Sequence, residues 1–350
     1  MLFSQKSQGY FLDFAEHAVF GARTSSMEAP FVVEVMRECP AGDPGALAAM
    51  LAQLQPKKSP TGYLHATVGL YPPKRVVRRH TVEPKRLREP GYFAEICTQQ
   101  FRIEQEAYAL FMVNAADGSD LEAVKTPTKE VVVCGMANED ATAAQTTLLE
   151  AGVYPERIEL GSVATLGAVV SCLGQARSKS PVLVLEIEAD AMHSFIVTAG
   201  GVEASRPIPQ GLNAMIPIVQ KELGLKDEES ARRLFFSNTF DFTGMGPQLV
   251  KKLLKELQSS IGFYEVQTGQ SVSEVLTTQL SPKLQWLEAA IASALGIKPL
   301  KLEQAAWLES RGITLREDAG ANLADPRWLG LFALMANYNA SDALVAEEKK

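Results

Sequence analysis

Residues 182–201 read VLVLEIEADAMHSFIVTAGG, two apolar runs joined by a short acidic turn. A hairpin that holds phosphate needs glycine and hydroxyl residues in its turn, because glycine lets backbone N–H groups approach the oxygens closely and tolerates positive φ. Here the turn carries Glu186, Glu188 and Asp190. A second hairpin of the same pattern opens the chain. LDFA (12–15) and LEIE (185–188) each give an apolar strand end, an acid, an apolar residue and a turn entry, with another apolar strand at similar distance. Any two hairpins share some of this pattern, so the pair is weak evidence of duplication until the flanking elements are read.

Those elements alternate. FVVEVMREC is a third strand beside the first hairpin, ALAAMLAQLQ a short helix after the turn residues AGDPG, and YLHATVGLY and KRVVRRHTV two further strands parted by Pro72 and Pro73. From Glu83 to Pro127 charged and aromatic residues mix without a clean period, and NAADGSD reads as a turn in a small inserted subdomain. VVVCGM follows as a buried strand, TAAQTTLLEAGV as a helix closed by Gly152, and RIELGSVATLGAVVSCLGQ as a strand running into an apolar helix. In the second half, SRPIPQGLNAMIPIVQKELG and LKDEESARRLFF lead into helices. PQLVKKLLKELQSSIGFY sets Leu249, Val250, Leu253, Leu254, Leu257 and Ile261 on one face with lysines opposite. SPKLQWLEAAIASALG and DPRWLGLFALMANY close the chain as helices. Strands and helices alternating in two similar halves predict an α/β architecture with a sheet in each lobe.

Composition narrows the function. The 350 residues are 46% hydrophobic and 21% charged, enough for about two packed domains. No apolar run reaches the roughly 18 residues of a membrane span, and MLFSQKSQGY lacks the pattern of an export signal, so the expected compartment is the cytoplasm. The four cysteines show no CxxC pairing and the four histidines no HxxxH or HExxH spacing, which predicts reduced packing thiols and no metal site. A net charge of −7 argues against nucleic acid. The exception is KRVVRRHTVEPKRLR (74–88), either a solvated strand edge with gatekeeper charges or a docking surface for an acidic partner or lipid headgroups.

The run from VVVCGM through LLEAGVYPERIEL, VLVLEIEADAMHSFIV, SRPIPQG and LKELQSSIGFYEVQTGQSV to LGLFALMANY resembles the PilM family of type IV pilus assembly proteins, relatives of the cell-division protein FtsA in the actin-like ATPase superfamily. SRPIPQG and the helix ending in SSIGFYEVQTG carry most of the resemblance. It implies an actin-like, ribonuclease H-like duplicated fold of two lobes with an FtsA-like inserted subdomain. The expected boundaries are 1–72 and 128–180 for the first lobe, 73–127 for the insert, 181–325 for the second lobe and 326–350 for a C-terminal helix and polar tail.

The resemblance also implies a nucleotide cleft between the lobes, and the sequence departs from it at three stations. The first turn keeps Asp13 but has Ala15 where the family has glycine. The second has Glu186 for aspartate, Glu188 for glycine and Met192 for a phosphate-facing threonine, ahead of Gly211 in SRPIPQG. The family's adenosine-end glycine pair should fall near 280–283, which reads LSPK. Two like charges about 4 Å apart repel by roughly 1 kcal/mol in water and about 4 kcal/mol at an effective dielectric near 20, so Glu188 opposes a polyphosphate. A Mg²⁺ held among Glu186, Glu188, Asp190 and phosphate would invert that sign without repairing the missing glycines.

The resemblance implies a partner as well: the cytoplasmic N-terminal tail of a PilN-like inner-membrane protein, lying in a groove between the first lobe core and the insert. Phe93, Phe101 and Tyr108, with Ile96, Ile103 and Phe111, are candidates to receive its apolar anchors, and Arg75, Arg78 and Arg79 to meet its acidic groups, although core packing of the subdomain is the simpler role for each aromatic. The expected protein is a noncatalytic scaffold of a pilus or type II secretion-like platform, cytoplasmic and peripheral to the inner membrane through its partner. The alternatives are a divergent Mg-ATPase using Asp13 and Glu186, and an FtsA-like filament former. The tail SDALVAEEKK is too polar to lie on a bilayer, and the sequence leaves homo-oligomerisation and contacts with other pilus components open.

Overall fold

The opening strands pair as their alternation predicts. In the computed structural model, which describes residues 8–55, 60–119, 121, 129–237, 239–319, 323 and 325–336, β1 (Gly9–Phe14), β2 (Ala18–Thr24) and β3 (Phe31–Pro40) form an antiparallel meander. Helix α1 (Pro44–Leu54) starts where Asp43 accepts a bond from the Ala46 N–H at 2.9 Å and Pro44 fixes the first turn. β4 (Leu64–Leu70) then lies parallel to β1.

The chain next builds a separate three-stranded antiparallel sheet. β5 (Val76–Thr81) and β6 (Tyr108–Asn114) flank β7 (Glu130–Ala137), with α2 (Tyr92–Ile96) between β5 and β6 in sequence. Val76, Val131 and Val133 on one face of this sheet pack with Val82, Tyr92 and Ile96. VVVCGM therefore belongs to the small sheet and not to the first lobe core, and the boundary expected at 127/128 lies after Ala137. The reason is pairing: β7 is the central strand, hydrogen-bonded on both sides within the insert. After α3 (Asn138–Glu150), β8 (Val153–Leu160) adds parallel to β4, and α4 (Gly161–Gln175) leads out.

The second unit, residues 173–302, repeats the plan. β9 (Val182–Ile187), β10 (Met192–Thr198) and β11 (Gly201–Ile208) are an antiparallel meander. Helices α5 (Ile216–Glu222), α6 (Glu228–Phe235) and α7 (Gly246–Thr268) follow. β12 (Glu274–Thr278) lies parallel to β9, then come α8 (Gln285–Leu295) and the short β13 (Lys298–Pro299). α7 buries Leu249, Val250, Leu253, Leu257 and Tyr264, the face its spacing predicts, and ends at Gly269 with φ +69°. Each such leucine contributes about 1.5–3 kcal/mol by leaving water.

The chain then returns to the first unit. α9 (Gln304–Ser310) and β14 (Ile313–Leu315) precede a buried helical stretch at 329–336, and β14 pairs in parallel with Phe31–Val33 of β3. Residues 303–325 thus belong with 1–172, not with the second lobe as expected. The tail from 337 onward lies outside the described residues. The strand orders are β14-β3-β2-β1-β4-β8 and β11-β10-β9-β12-β13. Setting β14 aside, both read third, second, first, fourth, fifth, with the first three antiparallel and the last two parallel. This duplicated ribonuclease H-like plan is the actin-like fold.

Candidate functional site

The two hairpins that carry the expected nucleotide residues each sit within one unit. In the second unit, Glu186 lies on β9 between His193 of β10 and Thr278 of β12, and all three are at most 5% exposed. The turn beyond is internally bonded. The Glu188 N–H donates to the Ala191 carbonyl at 2.9 Å, while the Glu188 and Ala189 carbonyls accept from the N–H groups of Leu212 at 2.9 Å and Asn213 at 2.8 Å. Gly211 makes that closure fit, since a Cβ there would lie 2.2 Å from the Glu188 oxygen. The exposed Asp190 accepts from Asn213 Nδ2 at 2.8 Å, and Asn213 Oδ1 accepts from Arg232 Nη1 at 2.5 Å. Met192 does not face a ligand. It pairs with Ile187 and Ile208 and is fully buried with them in the core, because strand alternation turns it inward.

In the first unit, Asp13 pairs with Phe20 of β2 and Gly69 of β4 and is 1% exposed. Cβ atoms built on Gly69 and Gly330 would come within 2.6 Å and 2.2 Å of its carboxylate oxygens, so the helical stretch at 329–336 closes directly over the acid. The Tyr71 hydroxyl donates to Asp13 Oδ2 at 3.5 Å, and Ala15 is buried beside the turn. The same C-terminal segment also packs beside Asp13, on Phe20, its cross-strand partner. Arg327 bonds Glu38 and Asp325, each at 2.6 Å, and lies 5.5 Å over the Phe20 ring, against which Trp328 packs edge-on at 4.8 Å. Burial, seconded by the Arg327 charge, pushes the His17 pKa down to about 4.

At the third station the glycine-like backbone stands one residue earlier than expected, at Gln279 with φ +63°, while Leu280 is buried. An accessible acid and a turn with inward-pointing N–H groups are what a Mg-nucleotide requires. In this structure Asp13 is covered, and the second turn directs its carbonyls at residues 212 and 213.

The insert presents a different opening. Arg75 is 5% exposed and spent inside the fold: its Nε donates to Ser162 Oγ at 2.8 Å and its Nη1 to the Tyr71 and Pro72 carbonyls. Arg79 pairs with Glu130 at 3.0 Å. Arg78 lies on the helix-covered face of the small sheet, where burial pulls its pKa below the usual guanidinium range. Phe93, Phe101 and Tyr108 pack against the insert's own core, and Phe101 meets the edge of His80 at 5.7 Å. None of these six residues lines the open groove on the other face of the small sheet.

That groove, about 670 Å³ and wholly within the first unit, runs along the other face of the small sheet. Ala109, Leu110, Phe111 and Val113 of β6 and Gly135 and Met136 of β7 form one wall; Arg157–Leu160 of β8 and Val163 and Gly167 of α4 form the other. Phe111 is 48% exposed over it. Arg157 and Glu159 pair at 2.9 Å, and Asp117 at the rim is bonded by the Ser119 N–H and hydroxyl. The sequence did carry a signal. YALFMVN (108–114) is apolar at nearly every position, as a strand covered on both faces would be, and α2 covers only one of them.

No family model and no curated protein sequence matches the chain. Among solved structures, a chain of a PilM–PilN type IV pilus biogenesis complex superposes with a TM-score of 0.69 at 16% identity, covering 95% of this chain and 99% of that one. The ethanolamine utilization protein EutJ from Carboxydothermus hydrogenoformans gives 0.47 at 10% identity, over 94% and 89%. No helix among the described residues is long and apolar enough to cross a membrane. Over nearly its whole length, the chain has a PilM-like, actin-like fold.

Proposed function

We propose that this protein is a noncatalytic scaffold of a type IV pilus or related secretion platform, and that the groove between the insert and the first lobe core takes the cytoplasmic N-terminal peptide of a PilN-like inner-membrane protein. The observation that carries the reading is the groove itself. It is open, lined by Phe111, Ala109, Val113 and Met136, and set in a fold shared with a chain of the PilM–PilN complex. Grooves of this kind recognise extended peptides by apolar anchors. The noncatalytic half is supported by the cover of Gly330 over Asp13 and by the closed turn at 188–191. Through its partner the protein works at the inner membrane.

Two titrations test this. A fluorescein-labelled synthetic peptide covering the PilN-like tail is expected to bind with one-to-one stoichiometry, and Phe111→Ala is expected to weaken it at least tenfold. Mg-ATP is expected to give no saturable heat in calorimetry. A tail that does not bind refutes the scaffold reading, and micromolar Mg-ATP binding refutes the noncatalytic one.

A further inference from the structure

We infer that Arg78 is the centre of a second docking surface, on the face of the insert turned away from the groove, for a protein segment that presents a carboxylate between apolar side chains. The inference does not depend on the groove or its occupant. It begins with the basic run at 74–88, whose seven Lys and Arg residues the fold treats unequally. Lys74 pairs with Glu139, Arg79 with Glu130, and Arg86 with Glu89 at 2.9 Å and Glu95 at 2.7 Å, while Arg75 is bonded inside the first unit. Arg78, Lys85 and Arg88 are left without a hydrogen bond or ion pair among the described residues.

Of these three only Arg78 is held inside the fold. Lys85 and Arg88 are exposed in the turn after β5, where water solvates them. Arg78 is half-buried on β5, on the same face as Val76, and its row across the sheet continues through Val133 to Met112. Two residues along on that face, the His80 ring meets the edge of Phe101 at 5.7 Å. The guanidinium is thus set among apolar side chains, and burial there holds its pKa below the ordinary guanidinium range. A charge taken partly out of water with no partner is unfavourable by itself. None of its nitrogens is sealed from solvent, so an anion can still reach them. Arg102, next in the chain after Phe101, adds an exposed cation that is also unpaired.

The chemistry of this niche selects the occupant. A planar guanidinium binds a carboxylate through two parallel hydrogen bonds, and the apolar surround favours aliphatic neighbours on the same segment. Lipid recognition draws on clusters of about four or more basic side chains, and the pairing of Lys74, Arg79 and Arg86 breaks up the run that would supply one. Of the two docking partners open to the basic run, an acidic protein segment and a lipid surface, these contacts favour the first.

The test uses the full chain and a fluorescein-labelled octapeptide of alternating leucine and glutamate, read by fluorescence anisotropy at about 0.15 M salt, with the leucine–glutamine analogue as the neutral control. Wild type should bind the acidic peptide about tenfold more tightly than the neutral one. Arg78→Gln should remove that preference, whereas Lys85→Gln and Arg88→Gln should each change the affinity less than twofold. Arg78→Met should leave the urea midpoint unchanged or higher, because no bond within the fold is lost. Absence of binding by wild type, or equal binding by wild type and Arg78→Gln, overturns the inference. So does a lower urea midpoint in Arg78→Met, which would show that the guanidinium already has its partner in the fold. Pelleting with phosphatidylglycerol vesicles that is lost in Arg78→Gln, without peptide binding, overturns the choice of a protein segment.

Discussion

Gly211→Ala tests the claim that the second hairpin's turn is closed by the protein's own backbone. A Cβ on this residue would stand 2.2 Å from the Glu188 oxygen and 2.6 Å from the Ala189 oxygen, where ordinary contacts begin near 3.4 Å. The 211–213 segment must therefore retreat by about 1 Å, and the bonds from Leu212 at 2.9 Å and Asn213 at 2.8 Å stretch beyond useful length. Two lost hydrogen bonds cost about 2 kcal/mol together, more if the freed groups stay dry. Leu212 and Met215, both in the core of the second unit, are dragged along, which brings the expected loss to about 2–4 kcal/mol. Because the chain divides into two compact units, a single unfolding midpoint is a poor readout. Hydrogen exchange resolved by peptide is better: amides of 182–215 that open with this unit should exchange about thirtyfold to several-hundredfold faster. Gly262→Ala is the control, since that Cβ meets open space inside α7 and should stabilise the helix by about 0.5–1 kcal/mol. An unchanged exchange pattern in Gly211→Ala, with the control behaving as stated, would refute the account of the turn.

His17 links the first hairpin to pH. Its folded pKa is lowered from 6.5 to about 4, so the folded state favours the neutral ring and the unfolded state takes up a proton first. Stability from this group is complete above about pH 6.5 and is lost as pH falls toward 4, on the order of 3 kcal/mol in all; His17→Gln should flatten that part of the pH profile of urea unfolding. Arg75→Met should destabilise the first unit yet, at a temperature where it is folded, bind the tail as wild type, while Phe111→Ala should show the reverse, with denaturation midpoint and anisotropy read on both. All four cysteines are buried, and burial pushes the Cys134 and Cys172 thiols up to about 12. A thiol reagent at pH 8 should accordingly label none of them until denaturant is added, and prompt labelling of Cys134 would contradict its place in the small sheet.

Much of the fold was legible because its strands and helices are long enough to show a period. The hairpins at 9–24 and 182–198, α1, α7 and α8 all lie where apolar spacing and capping residues put them. β12, β13, α9 and β14 were not legible. A strand of five residues or fewer, or a helix of two turns, carries too few positions to distinguish a period, and β14 is fixed only by its pairing with Phe31–Val33, far away in sequence. The site residues failed in another way. Arg75 stands in a basic run whose bland reading is solvent, and only the fold brings Ser162 and the Tyr71 and Pro72 carbonyls around it. Asp13 was singled out as an acid at a strand end, but its cover is Gly330, more than three hundred residues on, and a glycine gives no sign of what it lies against.

The twin sheets place their hairpin acids alike but surround them differently. Asp13 and Glu186 occupy equivalent nodes, each on the first strand and paired with the second and fourth. Their surroundings differ: Gly69 and Gly330 press on Asp13, whereas Thr278 and His193 flank Glu186. The groove draws no residue from either hairpin and none from the second unit. Its shape depends on Gly135 keeping β6 close to β7, where a Cβ would fall 2.0 Å from the Ala109 oxygen, and on β8 remaining the outermost strand. Stability of the second hairpin and the shape of the groove are therefore set by different contacts in different units.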